Sequence, residues 1–380
     1  MAKNAAREAR SVRELEAGEI QWIAEGAQVL GAGGGGSAHQ GALALRRQMR
    51  LGARVTVADG AELPDDALGT VISGMGAPTV GIERLASTGR WRGLVDGVRA
   101  VAGRVDFLAI AEIGGGNAIT PLVAGAETGL PVVDADAMGR AFPELQMNVY
   151  SMGGIVPSPL LLCDGKGVVA ALEGVPNAFT AERYARALTW AMGGSAGKAQ
   201  AVLTGADVRR LGIAGTLTLA EEIGRAMDEA RRHKRSTVEA IVDVVPTGRH
   251  LFEGKIVDVL RRTAAGFARG LITVAGLGAN AGEHIEIEFQ NEYLIARRDD
   301  GTVLLTVPDL IVLVEQGSGL ALGSEAVRYG LRIDVVGLPA AYEVKTPRAL
   351  GVVGPRAFGY DVEFRALPGD LLGRSRRAAS

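Results

Sequence analysis

The chain has 380 residues, 47% of them apolar, and its 41 basic and 43 acidic side chains leave a net charge of −2. That balance provides no basic field for nucleic acid or anionic lipid, and 4% aromatics argue against stacking surfaces for bases or long sugars. The length exceeds one ordinary domain, and the single cysteine, Cys163, rules out a disulfide framework and suits a reducing compartment. Met1 to Arg10 is polar, without the apolar core of a signal peptide, and no apolar run is long enough to cross a bilayer. A soluble, cytoplasmic protein with no membrane partner is expected.

Helical spacing runs from Glu14 to Leu30 through Leu15, Ile23, Ala27 and Leu30. Four glycines follow, Gly33 to Gly36, ending at Ser37, which forms an S-x-x-Q capping box with Gln40 and opens a second helix to Arg50. Glycine loses the most backbone freedom on folding, so such a run is kept where the backbone must come close to something. The helix N-terminus that follows favours an anion or a carbonyl oxygen. Strands are expected at Arg54 to Ala58, Gly69 to Ser73, Val105 to Ala111 and Pro131 to Val133, with helices over Ile82 to Ala102 and Asn117 to Thr128. This alternation predicts a parallel or mixed sheet covered by helices.

After Tyr150 the texture changes. Asp164-Gly165 marks a hairpin between apolar runs, and helices are expected at Thr180 to Met192 and Thr218 to His233, the second with its own capping box of Thr218 and Glu221. From Val238 the chain reads as mostly strand, and His284 to Phe289 alternates so that Ile285, Ile287 and Phe289 share one face. The expected architecture is an α/β N-terminal domain, residues 12–155, which can receive residues 340–370, and a second, largely β domain, residues 156–340. The second domain carries a helical insert near 180–192 and 218–233.

In an open α/β sheet, ligands sit beyond the carboxyl ends of the strands. Gly74 to Pro78 follows the second strand, Glu112-Ile-Gly-Gly-Gly-Asn117 the third, and Asp134-Ala-Asp136 the fourth, with Phe142-Pro143-Glu144 shortly after. Ordinary turns with capping acids are the alternative for any one of these loops. Glu112 directly follows an apolar strand, where desolvation would raise its pKa as general acid–base work requires, or where it would accept from glycine-loop amides. Asp134 and Asp136 would hold a divalent cation, bind substrate N–H groups or cap a helix. His39, in the first turn after the glycine loop, is a candidate ligand contact.

Other motifs carry less. Gly31-x-Gly33-x-x-Gly36 matches a dinucleotide fingerprint but follows a helix rather than a strand. Gly193-x-Ser195-x-Gly197 matches a nucleophile elbow by letters only, after a helix, so Ser195 reads as a loop residue. Gly197-Lys198 lacks the rest of a P-loop, and the four histidines have no metal-pair spacing.

Several segments together resemble the S-methyl thiohydantoin desulfurase family. They are Leu30 to Ser37, Glu112 to Asn117, Val133 to Met147, Leu251 to Val259 with Arg261 to Thr263, Phe289-Gln-Asn-Glu292, Pro308 to Leu310 and Pro355 to Asp361, spanning about residues 15–365. The sequence departs from its relatives at Ala38-His39, where a proline and an aromatic residue are more usual, and over Gly193 to Asp207. The resemblance implies hydrolysis of a methylated thiohydantoin to hydantoin and methanethiol. It also implies a small five-membered ring as substrate and an association with hydantoinase or oxoprolinase-type proteins.

Residues and resemblance together give these expectations. Amides after Gly33–Gly36 and Gly114–Gly116 bind ring oxygens as an oxyanion hole does. Glu112, or the pair Asp134 and Asp136, activates a water. Gly34, Gly35, Gly36, Ser37, His39, Gly115, Gly116, Asn117 and Glu144 contact substrate. No cofactor is demanded, although a divalent metal would help activate the water. A homo-oligomer is expected, with a hydantoinase-type partner subunit as a further association. The competing expectations are ring opening of a hydantoin or oxoproline, or a non-catalytic partner of such a hydrolase.

Overall fold

The computed structural model describes residues 12–77, 80, 89–264 and 267–373. The N-terminal half contains β1 (Val12–Glu14), α1 (Glu19–Leu30), α2 (Ala38–Arg50), β2 (Thr56–Ala58), β3 (Leu68–Gly76), α3 (Arg90–Ala102), β4 (Phe107–Ile110), α4 (Gly115–Thr128) and β5 (Val132–Asp136). Residues 82–88 of the helix expected from Ile82, and Pro78, lie outside the described residues. Next come α5 (Val149–Met152), β6 (Leu160–Cys163), β7 (Val169–Leu172), α6 (Ala178–Ala191), β8 (Ser195–Thr204), α7 (Gly205–Leu211), β9 (Ile213–Ala214), α8 (Thr216–Arg232) and α9 (Thr237–Val244).

These strands form one nine-stranded mixed sheet in the order β1-β2-β5-β4-β3-β8-β6-β7, with β9 beside β5. The inner run β2-β5-β4-β3 is parallel, and β8 turns the sheet antiparallel against β3. All four residues of β4 are buried, as expected of a central parallel strand covered on both faces. The sheet therefore runs past residue 155 to Ala214. Ser195, expected in a loop, opens β8 and pairs with Gly76. Residues 238–244, in the stretch expected to be mostly strand, belong instead to α9 (Thr237–Val244), capped by Ser236.

The remaining chain supplies β10 (Arg249–Ala264), β11 (Phe267–Gly276), β12 (His284–Gln290), β13 (Glu292–Arg298), β14 (Val303–Thr306), β15 (Leu310–Glu315) and β16 (Arg332–Leu338), then α10 (Pro347–Val353). They make a seven-stranded antiparallel sheet ordered β14-β13-β12-β11-β10-β16-β15. On β12 the alternation holds, with Ile285, Ile287 and Phe289 buried beside Phe252 and Tyr293. After β16 the chain returns to the first core through Ala340, Val344, Ala349 and Val353.

Arg140 links the two sheets. Fully buried, it donates from Nε to Ala141 O (3.0 Å), from Nη1 to Asp309 O (2.7 Å) and Pro308 O (3.2 Å), and from Nη2 to Tyr293 O (3.1 Å). Four carbonyl contacts satisfy the fork of a side chain that would otherwise be costly to bury. The loop after β5 is thereby fixed to the start of β13, and both border the cleft described next.

Candidate active site

A cleft of about 340 Å³ opens at the carboxyl ends of β3 and β4. Its walls come from the glycine loop before α2, the start of α4, the loop after β5, α6, β8 and the turn between β12 and β13. Seven of the expected residues meet there: Gly35, Gly36, Ser37, Glu112, Gly116, Asn117 and Glu144.

Glu112 is 6% exposed. Its Oε1 accepts from Asn117 Nδ2 at 2.5 Å and its Oε2 from Phe142 N at 3.1 Å. Burial raises its pKa to about 7, against the opposing pull of those two hydrogen bonds and of the Lys198 and Arg140 charges. Glu112 can therefore exchange a proton near neutrality.

A second carboxyl faces the same space. Asn291, in the left-handed conformation (φ 61°), turns the chain between β12 and β13 and is pinned by its N–H to Ala268 O (2.7 Å) and its Oδ1 from Ala268 N (2.9 Å). That turn delivers Glu292, 2% exposed, into the cleft wall. Burial, and next the Glu112 charge, raise its pKa well above the usual carboxylate range. Among the described residues its Oε2 has no hydrogen-bond partner. Reasoning from strand ends alone missed Glu292, since it comes from the other sheet; the only signal was its place in the segment Phe289-Gln-Asn-Glu292.

The glycine run is explained by its neighbours. A Cβ at Gly33 would lie 2.8 Å from the Tyr293 ring, at Gly34 2.1 Å from Glu292 Oε1, and at Gly35 2.1 Å from Gly114 O. At Gly36 it would meet nothing within 4 Å. The two glycine loops bond to each other, Gly116 N to Gly36 O and Asn117 N to Gly35 O, both at 3.0 Å. The amides expected to form an oxyanion hole at Gly116 and Asn117 are thus already used. Gly34 and Gly115 pack against protein and are not among the cleft lining; Ser37 lines it while its Oγ accepts from Gln40 N at 3.3 Å.

Three expected residues stand elsewhere. Asp134 accepts from Leu217 N (2.8 Å) and the Thr218 N–H and hydroxyl at the start of α8, so the capping expected of Thr218 and Glu221 falls to Asp134 instead. Asp136 is fully buried, and its Oδ2 accepts from Ile113 N (3.0 Å), Met138 N (3.0 Å) and Gly139 N (2.8 Å), tying the loops after β4 and β5. Burial raises Asp136 to about 7, but neither aspartate is among the cleft lining. His39 is exposed on α2, also away from that lining. Among the described residues no three His, Cys, Asp or Glu side chains converge as metal ligands. Glu144 lines the cleft and accepts from Gln146 Nε2.

Further lining groups come from elements that carry no motif. Glu182 of α6 accepts from Leu145 N (3.0 Å) and from Arg186 Nε, and Arg186 also donates to Pro143 O (2.9 Å). Lys198 of β8, Ser73 of β3 and Arg90 of α3 complete the polar wall.

Two family models cover the chain: one for the S-Me-THD-like N-terminal domain matches residues 18–174, and one for the S-Me-THD-like C-terminal domain, which takes in β8 and β9 of the first sheet, matches residues 176–367. The crystal structure of a protein from Chromobacterium violaceum shares the fold, with a TM-score of 0.77 and 23% identity over 93% of this chain and 100% of that one. No curated protein matches the chain. Among the described residues no helix is long and apolar enough to cross a membrane.

Proposed function

The chain belongs to the S-Me-THD-like family through both of its domains, and on that premise we propose that it hydrolyses a small hydantoin-like ring, splitting the C–S bond of an S-methyl thiohydantoin to give hydantoin and methanethiol. The observation that carries the reading is the pair Glu112 and Glu292, two buried carboxyls of raised pKa in one small-molecule-sized cleft.

The reaction needs one group that accepts a proton and one that returns it. Water adds to the ring carbon that bears sulfur, and Glu112, in its ionised form, takes the first proton. The tetrahedral adduct then breaks its C–S bond. Methanethiolate departs and is protonated, for which the neutral form of Glu292 supplies the proton. The water oxygen becomes the new ring carbonyl as the adduct's hydroxyl proton passes to the ring nitrogen, and the proton held by Glu112 passes to Glu292, which restores the starting state. Because the charge on Glu112 raises the pKa of Glu292, an ionised Glu112 beside a protonated Glu292 is the favoured state of the empty cleft. Asn117 holds Glu112 in place, and the close contact of Gly34 with Glu292 positions the second carboxyl.

The test is product analysis with 2-methylthio-imidazol-4-one as substrate. Methanethiol and hydantoin in equal amounts support the proposal. A new carboxylate with sulfur retained assigns ring opening instead, and no turnover with any such ring leaves a binding role.

A further inference from the structure

We infer that Lys198 and Ser73 form the part of the cleft that receives the ring's negative charge: the ammonium and the hydroxyl bind the imide-like N–C=O edge of the substrate and stabilise its anion as water adds. The inference rests on the reading of the cleft as a site for hydantoin-like rings.

Ser73 of β3 and Lys198 of β8 are direct partners in the antiparallel register. Residues so paired project to the same face of a sheet, within reach of each other. Lys198 is also opposite Leu162, and this face carries Met75, Leu160, Leu162 and Ala196 in the apolar cluster beneath α6. The lysine stem therefore has apolar surface to lie along, with its charged end in the cleft wall.

The protein leaves the Ser73 hydroxyl without a hydrogen-bond partner and Lys198 without an ion pair among the described residues. Ser73 is 2% exposed, and among the described residues its Oγ has no hydrogen-bond partner. Lys198 is 7% exposed, and among the described residues no carboxylate oxygen lies within 4.0 Å of its ammonium. The charged groups that act on it are Glu182 and Arg186 from α6 and Glu112 from the loop after β4. Both oxygens of Glu182 and both of Glu112 are already engaged by other donors. Burial lowers Lys198 to about 8, so it remains mostly protonated at neutral pH. A buried hydroxyl without a partner, beside a lysine that is 7% exposed and makes no ion pair among the described residues, is costly unless a complementary group arrives.

The proposed chemistry supplies that group. Addition of water to the sulfur-bearing carbon drives the C=N electron pair onto the ring nitrogen. That nitrogen is conjugated with the ring carbonyl, so the charge spreads over the N–C=O edge. Donors fixed in a water-poor wall stabilise such charge far better than water does. They also stand in for the amides of Gly116 and Asn117, which are occupied.

Binding of hydantoin and of 3-methylhydantoin, measured by titration calorimetry on the full chain, tests this apart from turnover. The expected result is that the wild type prefers hydantoin by about tenfold, since only that ring has the ionisable N–H on the recognised edge. Lys198→Met, which keeps an apolar stem, loses that preference and about 30-fold in affinity, Lys198→Arg keeps part of both, and Ser73→Ala loses about fivefold. A wild type without preference between the rings, or a Lys198→Met protein that binds both as the wild type does, overturns the inference. If ring binding depends on Lys198 while no methanethiol is released, the C–S reading fails and this one stands.

Discussion

Asn117 donates from Nδ2 to Glu112 Oε1 at 2.5 Å, while its Oδ1 accepts from the backbone N–H of Gly74 at 2.7 Å. The Gly74 donor fixes which end of the amide faces Glu112, because a backbone N–H can only donate. The carboxyl at the end of β4 is thereby held in register with the end of β3.

The first consequence concerns Glu112 itself. Glu112→Gln keeps the shape and the Phe142 and Asn117 neighbours but cannot accept a proton. Its kcat falls about 10²–10⁴-fold with little change in KM. In the wild type kcat/KM rises with pH through about 7, because the base must be ionised and burial has raised its pKa to that value. Steady-state rates from pH 5 to 9 check both, and a Gln variant of unchanged kcat removes Glu112 as the base.

Asn117→Ala removes a donor that favours the ionised form of Glu112. The acidic limb of the pH–rate profile then moves to higher pH, and the rate at pH 7 falls about tenfold. A limb that stays in place, with the rate lost only through KM, would show that Asn117 merely shapes the pocket.

The glycine loop separates packing from function. Gly35→Ala forces a Cβ to 2.1 Å from Gly114 O at a φ of +78°, and it costs about 2 kcal/mol or more of stability. Gly36→Ala has the same φ but open space and costs about 1 kcal/mol; since Gly36 lines the cleft, as Gly35 does, it raises KM without the larger loss of stability. Chemical denaturation beside steady-state kinetics distinguishes the two; equal stability losses would contradict the assignment.

Asp136 links stability to pH. Its pKa is raised by burial from 3.8 to about 7, so folding takes up a proton at this residue between those values. Its contribution is fully present below about pH 4 and is lost as pH rises towards 7. Asp136→Asn, which still offers one oxygen to the amides of Ile113, Met138 and Gly139, escapes that loss. The difference in thermal midpoint, wild type minus variant, should fall between pH 5 and pH 8. A difference constant with pH would mean that Asp136 does not titrate in this range.

What the sequence showed was mostly local. The burial of β4 and the alternation of β12 follow from nearby residue pattern, and Glu112 stood out because it ends an apolar strand. The close approach demanded by Gly33 to Gly36 was also legible, but its partners were not: Tyr293 and Glu292 lie some 260 positions away on the other sheet. Asp134 and Asp136 carried the residue type of a catalytic pair. Distant amides claim them, at Leu217 and Thr218 for one and at Ile113 for the other. Lys198 was met only in a failed P-loop match, because nothing in a strand sequence says which residue lies opposite; its pairing with Ser73 exists only once β8 joins the sheet. The family segments pointed to Asn291-Glu292 without giving either a role.

The central claim is tested most directly by the products of one incubation. Wild-type protein with 2-methylthio-imidazol-4-one, sampled for thiol release and by mass spectrometry, should yield methanethiol and hydantoin in equal amounts, with both suppressed in Glu112→Gln. A ring-opened carboxylate that still carries its methylthio group, or methanethiol release undiminished in Glu112→Gln, would contradict it.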